Sequence, residues 1–379
     1  MEVVISVGDT FWAYHVVRAA LQAGYLKRFL TTRLDRAELR IDRRMVREIR
    51  APDLIGRGIR RIAPLNRLFT WNWVKDNLFD LLASRHVPDS DIFHVWTGYG
   101  LHSLRKARDR GARIVVERGS THPLTQQQLM AEEYERWNVP PPTMVSRWTE
   151  KQVAELAEAD QIIIPSEFVR RSMIENGVPE GKLVQIPYGV DLQRFQPADR
   201  SDDVFRVLFA GAVSLRKGIP YLLDAIDRLD RPDIELVIVG YVTEDAHHIV
   251  SRYRDRRGFR FIGPVRQHDL PRYYQASSVF VLPSIEEGSA RVTYEAMACG
   301  LPSIVTPHVG SIIQDGVEGF TVPIRDPDAI ADRLEKLYRD GSMRRTMGRA
   351  AHHKVQSYTW QRYSSQVIGT YERLADEES

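Results

Sequence analysis

Short apolar segments alternate with helix-favouring stretches along the chain, and this alternation restricts the possible folds more than any other feature. The segments are rich in β-branched residues, which is typical of buried strands. In the first half they are Val3–Val7, Asp91–Trp96, Arg113–Val116, Gln161–Pro165 and Leu183–Ile186. In the second half they are Arg206–Ala210, Glu235–Val239, Arg260–Ile262, Val279–Leu282 and Pro302–Val305. Strands that alternate with helices form parallel sheets, so we predict an α/β fold with two doubly wound halves.

A short hinge separates the two sets of strands. It comprises Tyr188–Pro197 and is followed by the polar stretch Ala198–Asp203. The length of 379 residues also suits two domains better than one. We therefore predict a first domain at residues 1–190 and a second domain at residues 191–358.

The last segment, residues 359–379, contains a predicted helix from Thr359 to about Ala375. Its apolar and aromatic residues recur every three or four positions, at Trp360, Tyr363, Val367, Tyr371 and Leu374. That spacing places them on one face of the helix, so we expect this face to be buried against another part of the protein.

The composition is that of a soluble globular protein, with 43% hydrophobic and 27% charged residues. No run approaches the roughly 18–20 apolar residues of a membrane-spanning helix, and Met1–Val7 begins a strand instead of a signal peptide. Cys299 is the only cysteine, which excludes an internal disulfide and fits a reducing compartment. We therefore expect a cytoplasmic protein, and the net charge of +3 does not suggest nucleic-acid binding.

The segment Lys27–Arg67 is basic, with thirteen Lys or Arg residues against five Asp or Glu residues. Apolar and aromatic residues lie near its end, at Leu65, Leu68, Phe69, Trp71 and Trp73. Two interpretations remain open. The segment could rest on an anionic membrane surface, where a lipid-linked acceptor would be found. Alternatively, it is a solvated helical face whose aromatic residues belong to the core.

The segment Glu287–Gly300 indicates the chemistry. It follows the apolar strand Val279–Leu282 and continues as a helix-favouring run. A helix that begins at the carboxyl end of a parallel strand presents free N–H groups and its positive dipole end, which favour anionic ligands. Glu287 and Glu295 would flank these N–H groups as hydrogen-bond acceptors. Phosphates on amides and hydroxyls on carboxylates are the contacts that a nucleotide-sugar requires.

This segment resembles the nucleotide-sugar signature of the retaining glycosyltransferases of family 4, which have the GT-B architecture. Further motifs of the resemblance are Pro165–Phe168, Gly189–Asp191, Lys217-Gly218, Asp315-Gly316 and Gly319. The likeness is strongest from about Gln161 to Trp360 and weaker before residue 120. It implies two Rossmann-like domains that face each other across a cleft, with the final helix crossing back to the first domain. It also implies a retaining, metal-independent hexosyltransferase.

The resemblance assigns roles to several residues of the second domain. Glu295 accepts hydrogen bonds from the nucleotide ribose, and Glu287 accepts them from the donor sugar. Lys217 neutralises the departing diphosphate, and the backbone at Val265 contacts the base. Backbone N–H groups for the diphosphate and sugar come from Gly288, Ser289, Ala290, Arg291 and Val292.

The chain departs from the family pattern at two places. Ala212 stands where the family has an arginine, and we expect Arg216 to supply that charge from the other end of the loop. In the first domain, Thr10 and Phe11 stand where the family has paired glycines, in the loop that starts at Gly8.

His122 is the candidate for a polar group near the attacking hydroxyl. The sequence equally allows a structural or surface role for this histidine. Contacts to the acceptor are expected from the strand-end loops of the first domain, Gly8–Tyr14, Trp96–Leu101 and Glu117–His122.

No His or Cys cluster has the spacing of metal ligands, so we expect no metal and no tightly bound cofactor. The expected donor is a UDP-sugar, with a GDP-sugar as the other possibility. The acceptor would be a glycan, a lipid-linked molecule or a small molecule. Two rival functions remain: a nucleotide-sugar epimerase of related fold, and a noncatalytic sugar-nucleotide sensor or partner subunit. The sequence leaves the sugar, the linkage and the oligomeric state open.

Overall fold

A computed structural model describes residues 1–9, 12–35, 38–52, 71–142, 145–199 and 202–376. It contains two parallel β-sheets, one in each half of the chain. Strands of the first sheet are β1 (Val3–Val7), β2 (Leu26–Thr31), β3 (Val46–Glu48), β4 (Ile92–Trp96), β5 (Arg113–Glu117), β6 (Gln161–Ile164) and β7 (Leu183–Gln185). Strands of the second are β8 (Phe205–Ala210), β9 (Ile234–Val239), β10 (Phe259–Gly263), β11 (Val279–Leu282), β12 (Ser303–Val305) and β13 (Gly319–Thr321). The predicted pair of doubly wound α/β domains is confirmed.

Helices lie between the strands. They are α1 (Ala13–Gln22), α2 (Trp71–Ser84), α3 (Leu101–Arg108), α4 (Pro123–Arg136), α5 (Val145–Ala157), α6 (Glu167–Glu175), α7 (Ile219–Leu229), α8 (His247–Val250), α9 (Pro271–Gln275), α10 (Arg291–Ala298), α11 (Pro327–Arg339), α12 (Gly341–Val355) and α13 (Trp360–Asp376). Single 3-10 turns occur at Arg43–Met45, Glu180–Lys182, Glu244–Ala246, Gln267–Asp269 and Pro307–Val309.

All ten predicted strands are present, but three further strands were missed. β2 is interrupted by the charged pair Lys27 and Arg28, which hides its apolar character. β3 and β13 are only three residues long and lie at sheet edges. In β13, Gly319 allows close pairing with β12, because a Cβ there would lie 1.9 Å from the Ser303 carbonyl oxygen. An analysis based on buried apolar runs therefore does not detect short edge strands.

The strand order places one crevice in each sheet. The first sheet has the order β3-β2-β1-β4-β5-β6-β7, and the second has β10-β9-β8-β11-β12-β13. In both sheets the winding direction reverses between two central neighbours, β1 and β4 in one and β8 and β11 in the other. Ligands of open parallel sheets bind beyond the carboxyl ends of the strands at such a reversal. The loops after these four strands are therefore where the sites should form.

The final helix belongs to the core of the first sheet, which confirms the predicted crossing back. Tyr363, Val367, Tyr371 and Leu374 of α13 are buried in the same apolar cluster as β1 and α1. The Tyr371 hydroxyl lies 2.5 Å from Nδ1 of the buried His94 on β4. The chain thus returns to its first half after completing the second sheet.

Two chain segments pass side by side between the halves. Val190 and Thr359 form an isolated parallel bridge, and Gly189 packs so tightly that a Cβ there would lie 2.2 Å from the Trp360 nitrogen. We propose these crossings as the domain boundaries, with residues 1–190 and 359–379 in one domain and residues 191–358 in the other.

On the far side of the cleft, α4 of the first half contacts the second half. The carboxylate of Glu133 on α4 is fully buried. It accepts hydrogen bonds from Arg325 Nε at 2.8 Å and from the Tyr221 hydroxyl at 2.5 Å. Both donors belong to the second half, so α4 bridges the two sheets opposite the hinge crossings.

The backbone at Gly288 forms a tight seam between the halves. A Cβ at Gly288 would lie 2.0 Å from the Gly119 carbonyl oxygen, and one at Gly310 would lie 2.0 Å from the Gly288 carbonyl oxygen. The Ser166 hydroxyl also donates to that Gly288 oxygen at 2.5 Å. Glycine at position 288 is therefore required by the close approach of the two halves.

Some sequence-based predictions fall outside the described residues. These include the departures at Thr10 and Phe11, residues 53–67 of the basic segment, and Leu68 and Phe69 beyond it. Within the described ranges, no helix is both long enough and apolar enough to cross a membrane.

We predict that Gly288→Ala opens the cleft. Overpacking costs about 1–3 kcal/mol when neighbours cannot move, so the halves are expected to separate at this seam while each core stays intact. Small-angle X-ray scattering should show a larger radius of gyration than for the unsubstituted protein, with a thermal midpoint close to the original. Gly181→Ala is the matched control, since nothing lies within 4 Å of a Cβ there. An unchanged scattering profile for Gly288→Ala would contradict the prediction.

Candidate functional site at the start of helix α10

Two cavities meet where α10 begins. The first, of about 980 Å³, lies between the β5–α4 loop and the loops after β8 and β11. The second, of about 1080 Å³, lies between the ends of β8–β10 and the hinge. Residues that line both cavities are Trp12, Arg291, Val292 and Glu295. The start of α10 therefore forms the junction between the two spaces.

The first turn of α10 offers free backbone donors. Its N-cap residue, Ala290, makes no side-chain capping bond. The Ala290 N–H donates to the Val309 carbonyl at 3.2 Å. It is therefore not free to bind a ligand, contrary to the prediction from the sequence. In the described part of the chain, the N–H groups of Gly288, Ser289, Arg291 and Val292 have no acceptor. Four of the five predicted amides thus remain available for an anion.

Glu287 and the two cations of the β8–α7 loop form an ion cluster in the first cavity. Glu287 Oε1 lies 2.5 Å from Lys217 Nζ and 2.8 Å from Arg216 Nη2. Burial alone would raise the pKa of Glu287, but the two cations lower it below its usual value. Both cations bind the same oxygen, and Oε2 has no partner among the described residues. This oxygen can accept a hydrogen bond from a ligand.

Lys217 and Arg216 differ in how much of their charge is compensated. Arg216 also lies 3.2 Å from the carboxylate of Glu286, so its guanidinium contacts two carboxylates. Glu287 raises the pKa of Arg216. Burial lowers the pKa of Lys217, although Glu287 opposes this shift. Arg216 lies in the predicted place, but its charge is already balanced by protein groups.

Glu286 is a site residue that sequence reasoning missed. Its side chain is fully buried, and Oε1 accepts from the Thr121 backbone N–H at 3.0 Å and from its hydroxyl at 2.9 Å. Oε2 accepts from Gln126 Nε2 at 3.0 Å. Thr121 and Gln126 belong to the first half, so Glu286 ties the Lys217 loop to the opposite domain. The only sequence signal was the pair of adjacent glutamates, which periodicity does not distinguish from a surface pair.

Glu295 lies one turn into α10 and faces both cavities. Its Oε2 accepts from the Tyr274 hydroxyl at 2.9 Å. Within the described ranges Oε1 has no protein partner, although only 9% of the residue is exposed. Burial raises the pKa of Glu295. A buried acceptor without a donor is the arrangement expected for a carboxylate that binds ligand hydroxyls.

Trp12 belongs to the loop Gly8–Tyr14, from which acceptor contacts were expected, and it lines both cavities. Its indole N–H donates to Glu117 Oε1 at 2.5 Å, and the Tyr363 hydroxyl of α13 donates to Glu117 Oε2 at 2.6 Å. Both Glu117 and Tyr363 are about 1% exposed. The position of Trp12 therefore depends on the returning helix, a contact that no local pattern reveals.

The remaining predicted residues lie at different distances from the junction. Val265 lines the second cavity. His122 is the N-cap of α4: its Nδ1 accepts from the Leu124 N–H at 3.3 Å, and burial lowers its pKa to about 4. Gly8 packs against the Tyr99 ring, and its carbonyl accepts from the Thr32 hydroxyl. Neither His122 nor Gly8 is among the residues that line the two cavities.

No group of three or more His, Cys, Asp or Glu side chains could hold a metal ion in the part of the chain that the structure describes.

Comparisons with known proteins identify the same two halves. The family model "Glycosyltransferase Family 4" matches residues 11–194, and the model "Glycosyl transferases group 1" matches residues 204–340. A D-inositol 3-phosphate glycosyltransferase of Paenarthrobacter aurescens is 33% identical over 205 residues, which are 49% of this chain and 50% of the relative. The chain spans about half the length of the first curated relatives that it matches.

Solved structures share the fold over nearly the full length. The sucrose-phosphate synthase of Thermosynechococcus elongatus superimposes with a TM-score of 0.72 at 18% identity and covers 100% of both chains. Anabaena HepE, in complex with UDP-glucose, superimposes with a TM-score of 0.69 at 15% identity and covers 98% of this chain and 100% of the other. At such identities these likenesses concern the architecture, which is GT-B.

We predict that Glu295→Gln stabilises the protein at neutral pH. The folded-state pKa of Glu295 is raised, so the unfolded chain loses this proton first as the pH rises, and the native state is then penalised. At pH 7–8 the thermal midpoint should be higher than that of the unsubstituted protein, because Gln carries no charge to bury. The difference should vanish below about pH 4, where both states are protonated. A midpoint difference that is the same at both pH values would refute the assignment.

Proposed function

The chain belongs to glycosyltransferase family 4, and on that premise we propose that it moves a sugar from a nucleoside-diphosphate sugar to a hydroxyl of an acceptor, with retention of configuration. The observation that carries the proposal is the junction of two cavities at the start of α10, beside Lys217 and Glu287. One cavity suits a nucleoside and the other suits the donor sugar and the acceptor, with anion-binding groups between them.

The nucleoside would occupy the second cavity. Val265 and Tyr241, from the loops at the ends of β10 and β9, would flank the base. Glu295 Oε1, which has no donor in the described part of the protein, would accept from the ribose hydroxyls. A UDP-sugar is the favoured donor, supported by the UDP-glucose complex of a protein with the same architecture, and a GDP-sugar is the second candidate.

The diphosphate would lie on the free amides at the start of α10, next to Lys217. As the bond between the sugar C1 and the phosphate oxygen breaks, negative charge grows on the leaving diphosphate, and a fixed ammonium stabilises that charge. Glu287 Oε2 would accept from a hydroxyl of the donor sugar in the first cavity. Arg216 would act through Glu287, because its guanidinium already contacts two carboxylates.

The acceptor would enter the remainder of the first cavity. Its walls there include the aromatic residues Trp96, Tyr99 and Trp148, with Arg118 behind them. Burial lowers the pKa of Arg118 to about 10, and its hydrogen bonds go to neutral groups, Thr97, Thr121, Gln126 and Gln152. A glycan, a lipid-linked molecule or a small polar molecule remain the acceptor classes.

Retention would follow from attack on the same face that the diphosphate leaves. The acceptor oxygen bonds to C1, the C1–O bond to the diphosphate breaks, and the acceptor proton passes to a phosphate oxygen. The side chains described at the junction supply positioning and charge stabilisation, which suits such a step. The contact of α4 with the second half, through Glu133 and Arg325, would exclude water from the donor. We propose that this reaction needs no metal.

We further propose a cytoplasmic location, on the basis of the single cysteine and the composition. Contact of the Lys27–Arg67 region with an anionic membrane face is a separate proposal. Sedimentation with anionic vesicles at low salt, and release by added salt, would test it.

The donor is tested by thermal shift with UDP-, GDP- and ADP-sugars. A ligand that binds only the native state at 100 times its Kd stabilises it by about 2.7 kcal/mol, so a UDP-sugar should raise the thermal midpoint clearly. If none of the three raises it, the proposed function is wrong. Binding without release of nucleotide in the presence of any acceptor preparation would instead favour the sensor or partner-subunit alternative.

We predict that Lys217→Ala lowers the rate of nucleotide release from the donor by about 10²–10³-fold, the loss typical of removing one group that stabilises developing charge. The thermal midpoint should change little, because Arg216 still compensates Glu287. Lys336→Ala is the control for the loss of one charge. Lys336 belongs to α11 and lies over the ring of Phe320. Equal rates in the two variants would reject the role of Lys217.

A further inference from the structure

Arg291 occupies a position that is locally unfavourable for a cation. It is the first residue of α10, where the positive end of the helix dipole repels a guanidinium. Glu295, one turn later, is not paired with it: the described residues contain no carboxylate within 4.0 Å of Arg291. A cation at the start of a helix without a close ion pair violates a local preference, and such violations are expected at functional positions.

The side chain of Arg291 is exposed and lines both cavities at their junction. Its guanidinium lies over the Trp12 ring, whose centroid is 5.7 Å from Cζ. A cation over an aromatic face keeps its N–H groups free, because the contact uses no hydrogen-bond donor. Arg291 is therefore held at the junction while its five donors remain open to a ligand.

The Trp12 ring beneath Arg291 is held in place by contacts on its other side. Trp12 is hydrogen-bonded to Glu117, and Glu117 accepts from Tyr363 of α13, both at 2.5–2.6 Å. Trp12 also packs on Tyr188, with 4.7 Å between ring centroids. The guanidinium thus has a defined position, although no ion pair anchors it.

The three cations of the junction differ in their available charge. Arg216 contacts Glu286 and Glu287, and Lys217 contacts Glu287. Arg291 contacts neither. Among these three cations, Arg291 is the one that forms no ion pair with a carboxylate of the described residues.

We propose that the Arg291 guanidinium binds the diphosphate of the donor and makes the site selective for nucleoside diphosphates over nucleosides. This inference rests on the proposed function and adds a specificity-determining residue to it. Guanidinium groups bind phosphate oxygens through paired, charge-assisted hydrogen bonds. The diphosphate would then lie between Arg291 and the free amides of α10 on one side and Lys217 on the other. Arg291, and not Arg216, thus supplies the second cation, in place of the family's arginine at position 212.

The experiment compares the affinities of UDP, UMP and uridine by calorimetry for the unsubstituted protein, Arg291→Gln, Arg291→Lys and Arg333→Leu. Arg333 is the matched control, since its guanidinium also lies over an aromatic ring, Phe320, at 4.9 Å, but lines neither cavity of the junction. Arg291→Gln should weaken UDP binding by 10- to 100-fold and leave uridine binding within about 2-fold. Arg291→Lys should recover part of the UDP affinity, and Arg333→Leu should match the unsubstituted protein.

A second readout is the salt dependence of UDP binding. Removal of a cation that contacts phosphate should flatten the decrease in UDP affinity with added salt. A merely structural role would change all three ligands together and leave this slope intact. Loss of structure is not expected for Arg291→Gln, because the change removes a cation from the positive end of a helix.

The outcomes separate the inference from the proposed function. If the unsubstituted protein binds UDP and Arg291→Gln binds it equally well, the role of Arg291 is refuted and the proposed function stands. If the unsubstituted protein binds neither UDP nor GDP nor ADP, both are refuted. Equal weakening of UDP and uridine by Arg291→Gln also refutes diphosphate recognition by this side chain.

Discussion

The buried carboxylate of Glu286 is the constraint on which the rest of the site depends. A buried ionised carboxylate is costly unless charges and hydrogen bonds compensate it, and the partners of Glu286 come from both halves of the chain. Thr121 and Gln126 bind it from the first half, and Arg216 binds it from the second. The adjacent Glu287 shares Arg216 and orients Lys217. The loop between β8 and α7 is therefore positioned only when the two halves are together.

The same closed arrangement is fixed at two further places. Gly288 approaches the Gly119 carbonyl at a distance that only glycine permits, and Ser166 donates to the Gly288 carbonyl. On the opposite side, Glu133 of α4 binds Arg325 and Tyr221. These contacts enclose the first cavity without occupying it. One set of interactions thus serves two purposes. Glu286 joins the two halves and also binds Arg216, which in turn binds Glu287 next to Lys217.

Much of the fold could be predicted because its signals are local. The ten apolar strands, the helix that starts after Glu287 and the periodic face of α13 each arise from neighbouring residues. The signals failed where local character was weak. β2 carries Lys27 and Arg28, and β13 is three residues long with Gly319 in it. For the site, Glu287, Glu295 and Lys217 were predicted from a strand–loop–helix pattern and a family resemblance, and all three line the first cavity. Glu286 was missed, because the groups that bind it, Thr121, Gln126 and Arg216, lie 70 or more positions away in the sequence.

The sequence by itself determined the two parallel α/β halves, the place of the helix that begins after Glu287 and the residue types around its start. Hydrophobic period and strand–helix order decide these features over short segments. Only the tertiary structure decided which charges are already balanced, which amide of the first turn is occupied and which side chains stand between the two cavities. Those properties depend on the distances between groups brought together by two separate crossings of the chain, and side-chain charge interacts with whatever lies within a few ångströms in space, regardless of separation along the sequence.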